Sequence, residues 1–147
     1  MKRISFNPQF VNDAGDDLIP GKIHTIRKNY DYWKRYEGQE LTLFTWDGKP
    51  YQQGSKQKVV CVKRLVSVQK IKKIKHCFWA NTFAIVLGDG KYEPASMTYS
   101  GSLDPVELAK NDGFSTTGGF FNWFENYPEG TMAILHFTDF RYGGSHL

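Results

Sequence analysis

The chain has 147 residues, the span of one domain of the usual ~100–200, and is 40% hydrophobic and 23% charged. That composition excludes a disordered tail, a collagen and a coiled coil. The longest apolar run, Phe83–Leu87, is far short of the ~18 residues of a membrane helix. Nineteen Lys and Arg against fifteen Asp and Glu give a net charge of +4, and aromatics reach 16%. Basic charge attracts phosphate and aromatic faces stack bases, although such a charge is also ordinary for solubility. No basic-then-apolar leader opens the chain, so the expectation is a soluble cytoplasmic protein without a membrane partner. Cys61 and Cys77 make no disulfide framework; Cys61, within Val59-Val60-Cys61-Val62, reads as a buried thiol.

The chain has no internal repeat, low-complexity block or linker. Residues 3–6 read as a short strand. Residues 7–21 are irregular, broken by Pro8, Gly15, Pro20 and Gly21. Residues 23–27 alternate and are β-branched, a strand. Residues 31–36 read as one helical turn closed by Gly38. Residues 40–46 alternate again and end at Asp47-Gly48, a hairpin signal. Residues 48–58 and 89–103 read as long loops. Residues 58–74 are β-rich, two strands or one bent strand. Within them the run Lys70-Ile71-Lys72-Lys73-Ile74-Lys75 reads as a solvated strand face whose lysines blunt an edge, in preference to a phosphate-binding patch. Residues 82–87 are a buried strand.

The best-signed helix follows. Asp104 is its N-cap, Pro105 its first residue, Glu107 the partner in a capping box and Gly113 its left-handed stop. A second helix covers residues 118–127, with Phe120, Phe121, Phe124 and Tyr127 on one face and Pro128 ending it. Residues 131–137 are a strand, extended to Tyr142, and residues 143–147 read as a flexible C-terminal tail. Strands dominate and the helices cluster late, which predicts an α+β fold on a small, mainly antiparallel β-barrel with two or three short helices.

Several motifs fail. Five residues separate Gly15 from Gly21 where a phosphate loop needs four, and Ile23 stands where Ser or Thr would hold magnesium. His24, His76, His136 and His146 show no zinc spacing, so neither metal nor cofactor is expected. No nucleophile elbow is present. His136, on an apolar strand, reads as a core or edge histidine.

One constellation stands out. In Pro20-Gly21-Lys22-Ile23-His24-Thr25-Ile26-Arg27 a glycine turn hands a Lys to a strand presenting Thr and Arg. Thr25 and Arg27 are two apart and share a strand face, while Lys22 falls on the other. The turn must re-aim Lys22 if the three are to converge. Arg27 then offers a planar fork for a phosphate, a carboxylate or a base edge. Lys22 with a depressed pKa is a candidate general base, Thr25 a candidate nucleophile, and Asp112 a group to orient Lys22 or handle a proton. Each also has a structural reading: a turn lysine, a strand threonine, an arginine paired to an acid, and an acid at a helix end, where it opposes the helix dipole.

The pattern Gly-Lys-x-x-Thr-x-Arg resembles the signature of the ASCH family, which has a PUA-like barrel. Three further segments agree in order. They are Leu108-Ala109-Lys110-Asn111-Asp112-Gly113-Phe114, Phe120-Phe121-Asn122-Trp123-Phe124, and Leu135-His136-Phe137-Thr138-Asp139-Phe140-Arg141-Tyr142, similar to the closing strand of the phage and bacterial branch. The resemblance implies one ASCH/PUA-like domain over residues 1–142. It implies a cleft that binds RNA or a modified pyrimidine nucleotide or nucleoside, with Gly21, His24, Arg27, Gly113 and Phe114 as ligand-binding residues. Small bacterial members are amidohydrolases that deacetylate N4-acetylcytidine with a Lys, a Thr and a Glu. Lys22 and Thr25 match, and Asp112 stands at the Glu. Asp is shorter by one bond, ~1.5 Å, and a misplacement of about 1 Å can cost ~100-fold in rate. Two readings therefore stand: a nucleotide-binding module, and an amidohydrolase using Lys22, Thr25 and Asp112. Phe6, Trp33 and Phe114 are the candidate stacking aromatics, against a core role for each.

Overall fold

The computed structural model describes residues 1–75 and 83–143. The expectations for His76, Cys77, Thr82, His146 and residues 144–147 fall outside these. The described chain is mixed α+β and mainly antiparallel. In order it runs β1 (Lys2–Ser5), β2 (His24–Lys28), α1 (Tyr30–Lys34), β3 (Glu40–Asp47), β4 (Lys56–Arg64), β5 (Ser67–Lys75) and β6 (Phe83–Leu87). It continues through β7 (Tyr92–Glu93), β8 (Thr98–Tyr99), α2 (Pro105–Asn111), α3 (Thr117–Phe124) and β9 (Gly130–His136). A 3-10 turn, Pro8–Phe10, interrupts the irregular N-terminal segment. Among the described residues no helix is long and apolar enough to cross a membrane.

The strands form three sheets, ordered β1-β3-β4, β2-β9-β5-β6 and β7-β8; these ladders do not join into a closed barrel among the described residues. Among the described strands only β1 and β3 pair in parallel. The period of two in β9 divides the core. Ala133 and Leu135 face Leu41, Leu43 and Val60 of the first sheet. Met132 and Ile134 face Leu108, Phe120 and Phe124 of the helices. The four-stranded sheet is therefore the middle layer, and the apolar runs of β6 and of β9 from Met132 to Leu135 fit burial on both faces.

Of the two readings of residues 58–74, the structure has two strands, because fully buried Leu65 turns the chain and its N–H donates to Gln39 O at 2.8 Å. Three expectations are corrected in detail. The 89–103 loop contains the β7–β8 hairpin. The strand at 131–137 does not extend to Tyr142. Instead the Gln69 side chain takes the Tyr142 backbone, accepting from its N–H and donating to its carbonyl, both at 2.9 Å. Cys61 is half-buried.

The lysine run is also corrected. β5 lies inside its sheet, and although Lys70 and Lys75 are exposed, Lys73 is one of the largest fully buried side chains. Its ammonium donates to Phe124 O (2.8 Å), Glu125 O (2.9 Å) and Tyr127 O (2.6 Å). These carbonyls lie at and just beyond the C-terminal end of α3, the negative end of the helix dipole, and Phe124 O also accepts from Tyr127 N–H at 3.1 Å. Lys73→Met is expected to destabilise the fold by about 3 kcal/mol, since buried acceptors lose a charged donor. Urea unfolding checks this, and a change within about 0.5 kcal/mol of zero would sink it.

Candidate functional site

Asp104 caps helix α2 and Pro105 opens it as the sequence predicts, with Asp104 accepting from Val106 N–H at 2.9 Å, while Glu107 makes no capping-box bond to the Asp104 backbone. The helix ends in a Schellman arrangement, Phe114 N–H to Ala109 O (3.0 Å) and Gly113 N–H to Lys110 O (3.1 Å). Gly113 is left-handed at φ +92°, and a Cβ there would lie 3.0–3.1 Å from the Lys22 side chain. Glycine thus serves both the stop and the close passage of the lysine stem. Ile23 N–H donates to Asn111 O at 2.9 Å, docking the approach to β2 on the end of α2.

That junction meets the re-aiming requirement. Gly21 turns at φ +90°, Lys22 precedes the strand, and Lys22, Thr25, Arg27 and Asp112 all line one cavity of about 470 Å³. The volume is within the range of small-molecule sites. Aromatics from four segments complete its wall: Phe6, Phe10, Trp46, Phe114, Trp123 and Tyr127. Lys22 Nζ donates to the Asp112 backbone carbonyl at 2.6 Å, is 3.3 Å from Asp112 Oδ1, and sits 4.4 Å above the Phe10 ring. Burial pushes the Lys22 ammonium below its ordinary value; Asp112 opposes that and Arg27 adds to it. Arg27 is half-buried. It donates to Ser5 O at 2.6 Å and, weakly, to Thr25 Oγ1 at 3.4 Å, with its guanidinium 4.8 Å over Phe6. Burial brings its pKa down to about 10, against the pull of Asp112.

The remaining expected residues divide. Phe114 is in the cavity wall, packed against Phe10 at 5.3 Å. Phe6 is in the wall too, but Trp33 is beside Lys2, Tyr32 and Tyr36. Gly21 and Gly113 act through the backbone. His24 is fully buried and on the opposite face of β2 from Thr25, so it supports the site from behind. Its Nδ1 meets Asp112 Oδ1 at 3.2 Å and its Nε2 meets Tyr142 Oη at 2.7 Å, while Asn111 Nδ2 donates to the same hydroxyl at 3.0 Å. A singly protonated His24 ring that donates to Asp112 accepts from Tyr142, and Tyr142 in turn accepts from Asn111. Burial raises the Tyr142 pKa, which keeps its proton in place.

A second buried histidine lies alongside. His24 pairs with His136 in the β2–β9 register. His136 Nε2 meets Gln69 Oε1 at 2.7 Å. That oxygen is fixed as an acceptor by Tyr142 N–H, so Nε2 carries the proton. Nδ1 has no hydrogen-bond partner among the described residues. Burial, helped by His24 and Arg141, holds His136 down to about 3.

Trp46, Trp123, Tyr127, Asn111 and Tyr142 are site residues that the sequence reading did not select. An acid in the last turn of a helix was the available signal: such a group needs donors, and Asn111, His24 and Tyr142 supply or orient them. Among the described residues no group of three or more His, Cys, Asp or Glu is placed to hold a metal.

No family model, curated protein or solved structure matches this chain. The chemistry of the site rests on its own geometry: an ammonium and a guanidinium at the base of an aromatic-walled cavity, with one buried carboxylate held from behind.

The neutral His136 sets a pH dependence. The unfolded chain takes up a proton near 6.5 that the folded chain refuses until about 3. Stability is therefore present above 6.5 and lost as the pH falls below it, by on the order of 1.4 kcal/mol per pH unit. Urea unfolding at pH 7, 6 and 5 is expected to show this slope, and His136→Gln to flatten it. An unchanged slope in the variant would refute the assignment.

Proposed function

We propose that this chain is an ASCH-type domain, a PUA-like barrel left partly open, whose cavity binds a pyrimidine nucleotide or nucleoside, free or as a residue of RNA. The observation that carries the reading is the convergence of Lys22, Thr25, Arg27 and Asp112 in one aromatic-walled cavity. A base is planar, apolar on its faces and polar at its edge. Phe6, Phe114 and the two tryptophans offer faces, and the Arg27 fork and Thr25 offer donors and acceptors for an edge or a phosphate. Two cations against one carboxylate give the cavity a positive bias toward phosphate.

A second reading, amidohydrolysis of N4-acetylcytidine, has its own support: Lys22 is buried with a lowered pKa beside Asp112, as a general base requires. Binding is preferred because Asp112 is already engaged. Its Oδ1 faces both Lys22 and His24, and a lysine held by a carboxylate keeps its proton.

Calorimetric titration with cytidine 5′-monophosphate and with N4-acetylcytidine tests the proposal. Binding is expected at low salt and should weaken as salt rises. Arg27→Met keeps the stem over Phe6 and removes the fork, and should weaken nucleotide binding about tenfold or more. Absence of binding for both ligands would overturn the proposal. Under the second reading the same N4-acetylcytidine samples yield cytidine. The rate should rise with pH through the lowered Lys22 pKa, and Lys22→Met should abolish it; turnover that survives in a folded Lys22→Met protein would remove that lysine as the base.

A further inference from the structure

The aromatic wall of the cavity borders a second space. Phe114 and Trp123 line the cavity, and the same two residues line an open groove of about 630 Å³. Their rings lie 5.7 Å apart at 67°, and Trp123 keeps 39% of its surface exposed. Three short stretches of chain serve both sides of this partition. In the 3-10 turn, Pro8 and Phe10 line the cavity and Gln9 lines the groove. In the link between α2 and α3, Phe114 lines both and Ser115 lines the groove. In α3, Gly119, Asn122 and Trp123 are three and four residues apart, share a helical face and line the groove, while Phe124 lines the cavity.

The two sides differ in chemistry. The cavity holds Lys22, Arg27 and Asp112, whereas no ionisable side chain is among the residues that line the groove. The polar side chains of the groove are two carboxamides and a hydroxyl, Gln9, Asn122 and Ser115, all exposed. No described residue hydrogen-bonds to these side chains; the bond of Gln9 to Asn7 Oδ1, at 3.0 Å, is made by its backbone N–H. Each of the three can both donate and accept. A phosphate or a carboxylate would find no cation there, and a hydrocarbon would leave three polar groups without partners. A flat ring with donors and acceptors on its edge meets both conditions, with an apolar face for Trp123 and an edge for the carboxamides.

We infer that the groove is a second base subsite: when a pyrimidine nucleotide occupies the cavity, the base of the adjoining nucleotide lies in the groove, against Trp123 and within reach of Gln9, Ser115 and Asn122. This rests on the cavity reading and deepens it, because the ligand becomes a residue of a strand in place of a free nucleoside. The continuity of the two spaces through Phe114 and Trp123 is what ties the second base to the first. Stacking on an exposed aromatic ring tolerates any base, so a preference among bases falls to the carboxamides. Adenine is the natural probe, since Asn and Gln carboxamides pair with the edge that carries its amino group.

Calorimetric titrations compare cytidine 5′-monophosphate, the dinucleotides of cytidine and adenosine in both orders of linkage, and abasic analogues of these that lack the adenine. An abasic analogue carries the same charge, so the difference reports the adenine alone. Each is titrated into wild type, Gln9→Ala/Asn122→Ala and Arg27→Met. Both groove side chains are exposed, which makes the double variant safe for the fold. One dinucleotide is expected to bind about tenfold more tightly than its abasic analogue, and the order that does so gives the direction of the strand. The double variant should cut that gain to about twofold and leave the mononucleotide unchanged. Dinucleotides that bind no better than their abasic analogues, or a gain of the same size in the double variant, overturn the groove subsite while mononucleotide binding keeps the cavity reading. A gain that depends on Gln9 and Asn122 but ignores Arg27→Met, with no mononucleotide binding, keeps the groove and removes the cavity. Absence of all binding removes both.

Discussion

The site depends on one buried ion pair, Lys22 with Asp112, each nearly inaccessible to solvent. Removing two charges from water is costly and their mutual attraction alone does not guarantee repayment. The balance comes from what surrounds them. The ammonium has a main-chain carbonyl at 2.6 Å and the Phe10 face beneath it; the carboxylate has His24. The carbonyl belongs to Asp112 at the end of α2, where the helix dipole is negative, so the lysine is favoured there and the acid is not. Neither charge would be tolerable at that point without the other. The pair consequently fixes the end of a seven-residue helix, too short to persist alone, against the approach to β2.

From that junction the period of the strand does the rest. Successive residues of β2 alternate between two layers. Thr25 and Arg27 face the cavity; His24 and Ile26 face the helices and the middle of the fold. The same five residues therefore supply both the cavity face and its support. His24 joins the layers through Asp112, and Tyr142 joins the chain beyond β9 to His24. Gln69 ties that segment down through its backbone, which is why a strand that the sequence extends to Tyr142 stops at His136. The side-chain amide replaces one rung of a ladder.

Local chemistry made part of this legible. The caps of α2, the glycine stop, the aromatic helix and the alternating strands were readable because each is decided within a few residues. The Lys22, Thr25, Arg27 and Asp112 set came from a resemblance, and the structure brings the four side chains to one cavity. The role of His24 was not readable. Its position in the motif suggests a ligand contact, but the parity of the strand sends it to the other face. Lys73 was misplaced for a similar reason: a run of lysines looks solvated, and only the long-range docking of α3 over β5 gives that ammonium its three carbonyls. Trp46 was hidden by distance, because a cavity wall assembled from four segments has no local signature.

The same pair bears on whether the cavity binds or reacts. Asp112 keeps its contact with Lys22 by two routes. The main-chain carbonyl takes the short bond, and the carboxylate stands 3.3 Å away. Lys22 is thus held by the backbone and turned toward the cavity, while the carboxylate is shared with a histidine on the far side. For Lys22 to accept a proton from Thr25 it must first lose one, and both of its neighbours on Asp112 stabilise the charged form, against the burial that disfavours it. A ligand phosphate would add to that stabilisation and an uncharged acetylated base would not. Under the proposed reading the charge on the ligand would decide the chemistry: an anionic nucleotide would keep Lys22 protonated, whereas a neutral nucleoside would leave the lysine closest to acting as a base.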